Sequence, residues 1–383
     1  MVERSLDFAA RAMAGSLEGA PPEAIWSGAV LDSRQVRGSE LFFALAGERT
    51  DGHRFVAAAL AAGAAAAVVR GGHTESQEGA VIRVDEPFAA LHDLTRAVRA
   101  QVPRRLVAVT GSTGKTTTKE LLAAMLGRRF RVARNPGNLN NLYGFPIALL
   151  GIPDDTECLV AEMGMSKPGE LASLSRLGAP DVAILLNVRP VHLEFFDSLA
   201  AIAEAKAEIL EGLAPEGFVV GNRDDAEIRR VLEASRARVV WFGRSGEAAV
   251  RADDVGPLGD GRPGSRFTLV TPAGRIAVEL PLHGSFHVDN CLAAAACASE
   301  LGVPLADIAA AAAGITPAPM RGEVTRLRSG ATLIDDSYNS NPEALVLALE
   351  SAASLPGERR WAVLGDMLEL GPRSPEFHRE AGE

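Results

Sequence analysis

The feature that most limits the possible folds is the stretch LVAVTGSTGKTTTKELL at residues 106–122. A buried apolar run leads into a short glycine-rich loop, and a helical pattern begins at the end of that loop. Glycines let the loop curl so that several backbone N–H groups point at one anion, and the start of the helix adds partial positive charge. The stretch therefore predicts a strand, a phosphate-binding loop and a helix in an α/β sheet.

This loop is shorter than the usual phosphate loop. The pattern G-x-x-x-x-G-K-[ST] would place a glycine where this chain has Val109, so that G-x-x-G-K-T remains, formed by Gly111, Gly114, Lys115 and Thr116. In such a loop the lysine reaches the β- and γ-phosphates of ATP and the threonine hydroxyl binds Mg²⁺. A tight turn with an incidental lysine is the alternative; the flanking strand and helix favour an ATP site.

Strand and helix patterns alternate along the rest of the chain. Apolar runs at 157–162, 181–188, 218–222 and 239–243 predict further strands, and helical segments between them predict a parallel sheet with crossovers. Two β-rich runs and a helix at about 288–300 follow, then a proline-rich hinge at 314–324, a strand and helix near 342, and a strand at 361–366. We expect domains at 1–102, 103–316 and 317–383, the last with too few strands for a complete doubly wound sheet.

The composition excludes several classes of partner. The formal net charge of −10 argues against nucleic acid or an anionic membrane, so an anionic ligand must be held by local positive charge. The first residues lack an apolar run and the longest apolar run is shorter than about 20 residues, so we expect neither a signal peptide nor a membrane span. Cys158, Cys291 and Cys297 lie in apolar surroundings without C-x-x-C spacing, which is typical of core thiols in a reducing compartment. We expect a soluble cytoplasmic protein.

One lysine lies on an unexpected helix face. Only four of the 39 basic residues are lysines, and Lys206 falls on an apolar stripe of a helix that Asp197 or Ser198 would cap; the stripe contains Leu199, Ile202, Ala203, Ile209, Leu210 and Leu213. Burial favours a neutral amine, which could act as a base, form a Schiff base or add CO₂ to give an anionic carbamate. Alternatively Lys206 reaches solvent or pairs with Glu194 or Glu204.

Two further residues suggest a metal site. Glu162 ends one predicted strand and His192 follows the next, and open α/β sheets place ligands just beyond the carboxyl ends of their strands. Together with Thr116 and a carbamate on Lys206, they would form a set of hard ligands suited to Mg²⁺ bridging phosphates.

These residues resemble those of a known family, the Mur ligases, which are ATP-dependent amide-forming enzymes of peptidoglycan synthesis. The resemblance covers nearly the whole chain through the segments DSR…LFFALAGERTDGH, TGSTGKTTTKE, GNLNNLYGFP, AEMGMSKPGEL, HLEFFDSLAAIAEAKAEIL, NCLAAAA, MRGEV, DDSYNSNPEAL and VLGDMLELG. It implies a three-domain α/β fold with a small N-terminal UDP-binding domain, a central ATPase-like parallel sheet and a Rossmann-like C-terminal domain, here incomplete. The short G-x-x-G-K-T loop is the family's normal form.

The resemblance also implies a reaction. DDSYNSNP and VLGDMLELG are similar to the family member that joins D-alanyl-D-alanine to UDP-N-acetylmuramoyl-tripeptide through an acyl phosphate. The member that extends the dipeptide usually has Tyr-Ala-His where this chain has Ser337, Tyr338 and Asn339. A fragment that binds but does not catalyse remains an alternative, whereas a kinase or GTPase is disfavoured because no N-K-x-D motif is present. We expect a monomer.

The roles of individual residues follow from the resemblance by position. The triphosphate would be held by Gly111, Ser112, Thr113, Gly114, Lys115, Thr116 and Thr117. Thr116 and Glu162 would bind one Mg²⁺, and Glu162, His192 and carbamylated Lys206 a second one. Lys115, Glu162, His192 and Lys206 would be catalytic.

Other positions match segments that contact nucleotide or substrate. Asn290, Arg321, Asp336 and Asn339 would contact the nucleotide, while Ser33, Arg34, Asn138, Asn141 and Ser166 would contact the UDP-linked substrate. Some have simpler interpretations: Asn141 or Asp336 could cap a helix, and Ser33 with Arg34 could be a surface turn. The chain departs from the family pattern at Arg189, Asp197, Phe286 and His287.

Overall fold

The computed structural model describes residues 4–47, 50–72, 79–102, 104–191, 193–259, 262–353, 355 and 357–383. Its contacts divide the chain into two compact units. Unit 1 contains Met1–Arg104 and Asn135–Glu157, and unit 2 contains Arg105–Arg134 and Cys158–Glu383.

Sixteen strands lie within the described residues. They are β1 (Ser16–Glu18), β2 (Ala29–Val30), β3 (Leu41–Phe43), β4 (Ala66–Arg70), β5 (Val81–Val84), β6 (Arg105–Thr110), β7 (Val132–Arg134), β8 (Cys158–Glu162), β9 (Val182–Leu185), β10 (Phe218–Asn222), β11 (Arg238–Gly243), β12 (Val250–Pro257), β13 (Ser265–Thr271), β14 (Gly274–Leu280), β15 (Glu323–Arg326) and β16 (Thr332–Asp335).

The same part of the chain forms twelve α-helices. They are α1 (Leu6–Ala12), α2 (Val56–Ala61), α3 (Pro87–Gln101), α4 (Lys115–Leu126), α5 (Gly144–Leu150), α6 (Glu170–Gly178), α7 (Leu199–Ala207), α8 (Ala226–Glu233), α9 (His287–Glu300), α10 (Leu305–Ala313), α11 (Pro342–Ala353) and α12 (Ser374–Gly382).

Unit 1 is built on a small, mostly parallel sheet. The strand order is β1-β5-β4-β3-β2, with only β1 antiparallel to its neighbour. Helices α1 and α3 cover one face through a buried cluster that includes Trp26, Leu91 and Leu94. Leu150 of α5 joins this cluster, so the segment 135–157 packs with the N-terminal residues although it follows β7 in sequence.

Unit 2 contains a nine-stranded sheet. The order is β14-β13-β12-β11-β10-β9-β6-β8-β7; the strands from β7 to β12 are parallel, and β13 and β14 complete the sheet as antiparallel strands. Every residue of β8 and β9 is buried, as is expected of a central parallel strand covered on both faces. Helices α4 and α9 pack together and contribute apolar side chains to the main core.

These elements confirm the α/β fold with a central parallel sheet. The helix α4 begins at Lys115 as the sequence predicts, and the strands at 218–222 and 239–243 form, the second one residue longer. The strand predicted at 181–188 ends early, at Leu185. The domain limits 1–102, 103–316 and 317–383 stay a prediction.

The strand predicted at 361–366 is wrong. This segment has no regular structure, and Trp361 and Val363 are 87% and 99% exposed. A strand needs neighbours for its backbone hydrogen bonds, and in the described part of 317–383 the only strands, β15 and β16, pair with each other as an antiparallel hairpin. No helix of the described residues is long and apolar enough to cross a membrane.

Candidate functional site

The phosphate loop connects β6 to α4 in unit 2. Gly114 precedes the helix with φ of +80°, in the left-handed region, and a Cβ there would lie 2.2 Å from Asn290 Oδ1. At Gly111 a Cβ would lie 2.8 Å from the Cβ of Leu186. Both glycines are therefore required by close packing, and Gly114 also by its backbone conformation.

The loop is held in place by the chain that follows β9. The backbone N–H of Thr113 donates to Asn187 Oδ1 at 3.0 Å, and that of Ser112 donates to the Asn187 carbonyl at 3.1 Å. The backbone N–H of Arg189 donates to Ser112 Oγ at 2.9 Å. Sequence reasoning missed Asn187, although its place just beyond a central strand is a signal that could have found it.

Lys115 folds back over the loop. Its Nζ donates to the carbonyl of Gly111 at 2.8 Å and to that of Ser112 at 3.3 Å. Burial lowers the pKa of Lys115, and nearby Arg321 lowers it further, whereas Glu162 acts in the opposite direction. The ammonium group thus lies at the loop, near the Glu162 carboxylate and the Arg321 guanidinium. Thr117, in the first turn of α4, is half-buried.

Thr116 and Glu162 form the centre of the site. The Thr116 hydroxyl donates to Glu162 Oε2 at 2.8 Å, and Glu162 is buried at the end of β8, beside β6. A hydroxyl and a carboxylate in contact are hard oxygen ligands of the kind that Mg²⁺ takes, so these two residues fit the ion. The structure therefore brings together two of the four predicted metal ligands.

His192 lies outside the described residues, so its predicted role stays a prediction. Among the described residues, no group of three or more His, Cys, Asp and Glu side chains could hold a metal ion by itself.

Lys206 is buried, as its helix face predicts. Ser198 caps α7 by accepting from the Ala201 N–H, and Lys206 is only 2% exposed. The solvent-facing alternative is therefore wrong, and Glu204 pairs with Arg230 at 2.8 Å instead. Burial, with a contribution from Lys115, lowers the pKa of Lys206 well below its usual value. For one residue of the predicted apolar stripe, Leu199, the prediction of burial is wrong, because its side chain is exposed.

Arg321 reaches the phosphate loop from the hairpin β15–β16. Its Nη2 donates to Thr116 Oγ1 at 3.5 Å, its Nε is buried without a hydrogen-bond partner in the described part of the chain, and its guanidinium lies over the ring of Tyr338. Asp336 and Asn339 follow the same hairpin and are exposed. Desolvation raises the pKa of Asp336, an effect that Arg321 opposes.

The helix that follows the hairpin, α11, is capped by Asn341 and not by Asp336. Asn341 Oδ1 accepts from the Ala344 N–H at 2.9 Å at the start of α11, so Asp336 is not the cap.

Arg189, a departure from the family pattern, is paired with Asp225 at 3.2 Å and Glu343 at 2.7 Å. Its charge is therefore balanced by two carboxylates.

Asn290 lies beneath the phosphate loop. Its Oδ1 packs against Gly114, and its Nδ2 lies 3.2 Å from His287 Nδ1. Burial, with a contribution from His283, lowers the pKa of His287 to about 4. The neutral imidazole can accept from the Asn290 amide, which fixes the orientation of that side chain.

Ser166 lies in the loop between β8 and α6. Its backbone N–H donates to Glu170 Oε2 at 2.7 Å, and its side chain is half-buried. Glu208, which directly follows α7, accepts from the Gly169 N–H at 2.8 Å. The loop that carries Ser166 is thus tied to the helix that carries Lys206.

The other predicted substrate residues lie in unit 1. Ser33 begins a short 3-10 helix capped by Asp32, and Arg34 is paired with Asp32 at 2.6 Å while its side chain remains 87% exposed. Asn138 is exposed, and Asn141 Oδ1 accepts from the Gly144 N–H at 2.8 Å at the start of α5. Asn141 therefore stabilises the turn that leads into α5, as a simple turn cap would.

Comparison with known proteins identifies the family. The models described as Mur ligase family, catalytic domain; Mur ligase middle domain; and Mur ligase, glutamate ligase domain match residues 27–104, 109–298 and 320–383. The UDP-N-acetylmuramoyl-tripeptide–D-alanyl-D-alanine ligase of Bacillus subtilis (strain 168) is 35% identical over 385 residues, covering 100% of this chain and 82% of the relative. The ligase of that name from Escherichia coli (strain K12) is 36% identical, covering 96% and 80%.

Comparison with solved structures leads to the same family. A crystal structure of MurF from Acinetobacter baumannii superposes with a TM-score of 0.90 at 32% identity, covering 100% of this chain and 83% of that one. The MurF ligase from Thermotoga maritima in complex with ADP gives 0.81 at 34% identity, covering 93% and 81%. With family models that together span most of its length and relatives above 30% identity along their major part, this chain belongs to the Mur ligase family.

Proposed function

We propose that this chain is the ATP-dependent ligase that joins D-alanyl-D-alanine to UDP-N-acetylmuramoyl-tripeptide in peptidoglycan precursor synthesis, releasing ADP and phosphate. The observation that carries the proposal is the phosphate loop in which Lys115 and Thr116 lie next to Glu162. The relatives that match nearly the whole of this chain, and about four fifths of their own length, are named for that reaction.

The reaction needs activation because a carboxylate is a poor electrophile. Transfer of the γ-phosphoryl group from ATP to the tripeptide carboxylate gives an acyl phosphate and ADP. The amine of D-alanyl-D-alanine then attacks the acyl carbon, an amide bond forms, and phosphate leaves with the electron pair of the broken C–O bond. The protein contributes positioning and charge stabilisation, for which Lys115 lies at the loop that would hold the phosphates.

Mg²⁺ bound at Thr116 and Glu162 would neutralise phosphate charge. We assign a second ion to Glu162, His192 and a carbamate on Lys206. Two properties of Lys206 support the carbamate: burial lowers the pKa of its amine and so favours the uncharged form that adds CO₂, and nearby Lys115 would stabilise the resulting anion.

The carbamate can be tested without an activity assay. Incubation with ¹³C-bicarbonate should give a carbamate resonance in the NMR spectrum of the wild type and none in Lys206→Arg, because a guanidinium does not add CO₂. Identical spectra of the two proteins, with no such resonance in either, would remove Lys206 from the ligand set.

We assign the remaining nucleotide and substrate contacts to the residues that the sequence predicts. We assign the nucleotide to the loop residues 111–117 with Asn290, Arg321, Asp336 and Asn339, and the UDP-linked substrate to Ser33, Arg34, Asn138, Asn141 and Ser166. Asn141 could both stabilise the turn before α5 and contact the substrate, since the turn uses only its side-chain oxygen. We place the reaction in the cytoplasm, in keeping with three free cysteines that are all buried.

The deciding experiment compares two acceptors. Phosphate release and product mass are measured with ATP, Mg²⁺, D-alanyl-D-alanine and either UDP-N-acetylmuramoyl-tripeptide or the dipeptide form. Turnover of the tripeptide alone supports the proposal, whereas turnover of the dipeptide with its own amino acid would move the chain to the preceding ligase. Calorimetric binding of the tripeptide and an ATP analogue without turnover would identify a binding protein that does not catalyse.

A further inference from the structure

Tyr338 holds the arginine that reaches the phosphate loop. The guanidinium carbon of Arg321 lies 3.9 Å from the centre of the Tyr338 ring, close enough for a cation–π contact. The Tyr338 N–H also donates to the carbonyl of Met320 at 3.2 Å, so that backbone and ring together join the two segments.

The hairpin explains why these residues meet. Strands β15 and β16 are antiparallel, and Glu323 at the start of one is opposite Asp335 at the end of the other. Arg321 precedes β15 and Tyr338 follows β16, so both lie at the open end of the hairpin. Neither residue belongs to a strand, so the ring contact and the hydrogen bond from Tyr338 to Met320 hold them together beyond the end of the ladder.

Arg321 has an N–H group that donates no hydrogen bond to any described residue. Its Nη2 makes a hydrogen bond of 3.5 Å to Thr116, and its buried Nε has no partner among the described residues. Leaving a buried donor unsatisfied costs free energy that an incoming acceptor recovers. Thr116 is next to Lys115 in sequence, and Lys115 Nζ lies over the phosphate loop, so the two cations border one space at the start of α4. That space suits an anion.

We propose that Tyr338 is a positioning residue for nucleotide binding: its ring holds the Arg321 guanidinium against Thr116, so that the hairpin supplies a preoriented cation to the nucleotide phosphates. The proposal rests on the proposed function insofar as the anion is taken to be the triphosphate. Tyr338 itself need not touch the nucleotide. Its hydroxyl has no part in this role, since the ring face makes the contact.

The test is calorimetric titration with a non-hydrolysable ATP analogue and Mg²⁺. Tyr338→Phe keeps the ring face and should bind within about twofold of the wild type. Tyr338→Leu removes it and should weaken binding about three- to thirtyfold, the range of a cation–π contact converted to affinity. In an Arg321→Met background Tyr338→Leu should have no further effect, because the contact is already lost.

A matched control lies in the same C-terminal segment. Arg373 lies 4.7 Å from the ring centre of Phe377 on α12, so Phe377→Leu removes a similar contact away from the phosphate loop. This variant should bind the analogue as the wild type does. Since Tyr338 is 43% exposed, its replacement should be tolerated, and Tyr338→Gln provides a second non-aromatic variant if Tyr338→Leu does not fold.

Several outcomes would overturn the proposal. They are wild-type affinity in Tyr338→Leu, an equal loss in Tyr338→Phe, or a further loss in the Arg321→Met background. In steady-state assays the KM for ATP should rise in Tyr338→Leu while that for the UDP-linked tripeptide stays unchanged, a split that general destabilisation would not give. Wild-type protein that binds the analogue in this Tyr338-dependent way but fails to ligate would sustain the inference and refute the proposed function.

Discussion

Replacing Gly114 by alanine tests how closely the phosphate loop is packed. Two effects add at this position: the backbone is left-handed, with φ of +80°, and the new Cβ would lie 2.2 Å from Asn290 Oδ1 and 3.0 Å from its Cγ. Ordinary contacts begin near 3.4 Å, so that Asn290 or the loop must shift. The Asn290 side chain is buried and cannot turn away freely.

A matched glycine separates the two effects. Gly169 also directly precedes a helix, α6, with φ of +85°, but nothing lies within 4 Å of its Cβ position. Gly169→Ala should therefore lose only the backbone term, about 1–2 kcal/mol of the free energy of unfolding. Gly114→Ala adds overpacking, about 1–3 kcal/mol more, for a total of about 2–5 kcal/mol.

The assay is urea unfolding of both variants, with titration of an ATP analogue. Gly114→Ala should be less stable than Gly169→Ala and should bind the analogue at least about tenfold more weakly, because a shift in the loop moves its N–H groups. In an Asn290→Ala background the extra loss of stability should disappear, leaving the backbone term alone. Equal losses for the two glycine variants in the wild-type background would refute the close packing inferred here.

Three further predictions concern buried titratable groups. Lys206→Met should abolish ligation yet raise the free energy of unfolding by about 1–3 kcal/mol, because burying an amine costs more than burying an apolar chain of similar size; urea unfolding that shows destabilisation would contradict this. The pKa of His287 is lowered to about 4, against about 6.5 when unfolded, so the unfolded state binds more protons between these values. Stability should fall as pH is lowered from about 6.5 to 4, by up to about 3 kcal/mol, and His287→Asn should flatten that part of the urea-derived profile. Burial raises the pKa of Cys158 and Cys291 to about 12 and raises that of Cys297 as well, so a thiol reagent should react with all three only on unfolding; rapid labelling of the native protein would disagree.

Local patterns account for what the sequence could predict. The start of α4 at Lys115 follows from a glycine loop before a helical repeat, and the burial of Lys206 follows from its place on an apolar stripe. Each depends on a few neighbouring residues. The pairing of Thr116 with Glu162 was also within reach, because the carboxyl ends of adjacent parallel strands meet at one sheet edge.

Other features depend on contacts between distant residues, and the sequence did not indicate them. Asn187 supports the phosphate loop across a separation of 74 residues, and Arg321 meets Tyr338 only because the hairpin closes. The prediction of a strand at 361–366 was wrong because it also depends on distant residues. The apolar pattern there is typical of a buried strand, but burial requires neighbouring strands. The grouping of 135–157 with unit 1 likewise depends on tertiary packing.

The electrostatics of unit 2 explain how an acidic chain can bind a triphosphate. With a net charge of −10 the overall field repels the ligand. Burial lowers the pKa of Lys115 and of Lys206, Arg321 lowers that of Lys115 further, and Lys115 lowers that of Lys206 further, so these three basic side chains lie near one another. The Glu162 carboxylate acts on Lys115 in the opposite direction. Positive groups that are buried close together repel one another, which raises the free energy of the empty site. An anion that binds there removes this repulsion and also makes its own contacts. Affinity for phosphate therefore arises from local arrangement, and it should depend less on ionic strength than binding through an exposed basic surface would.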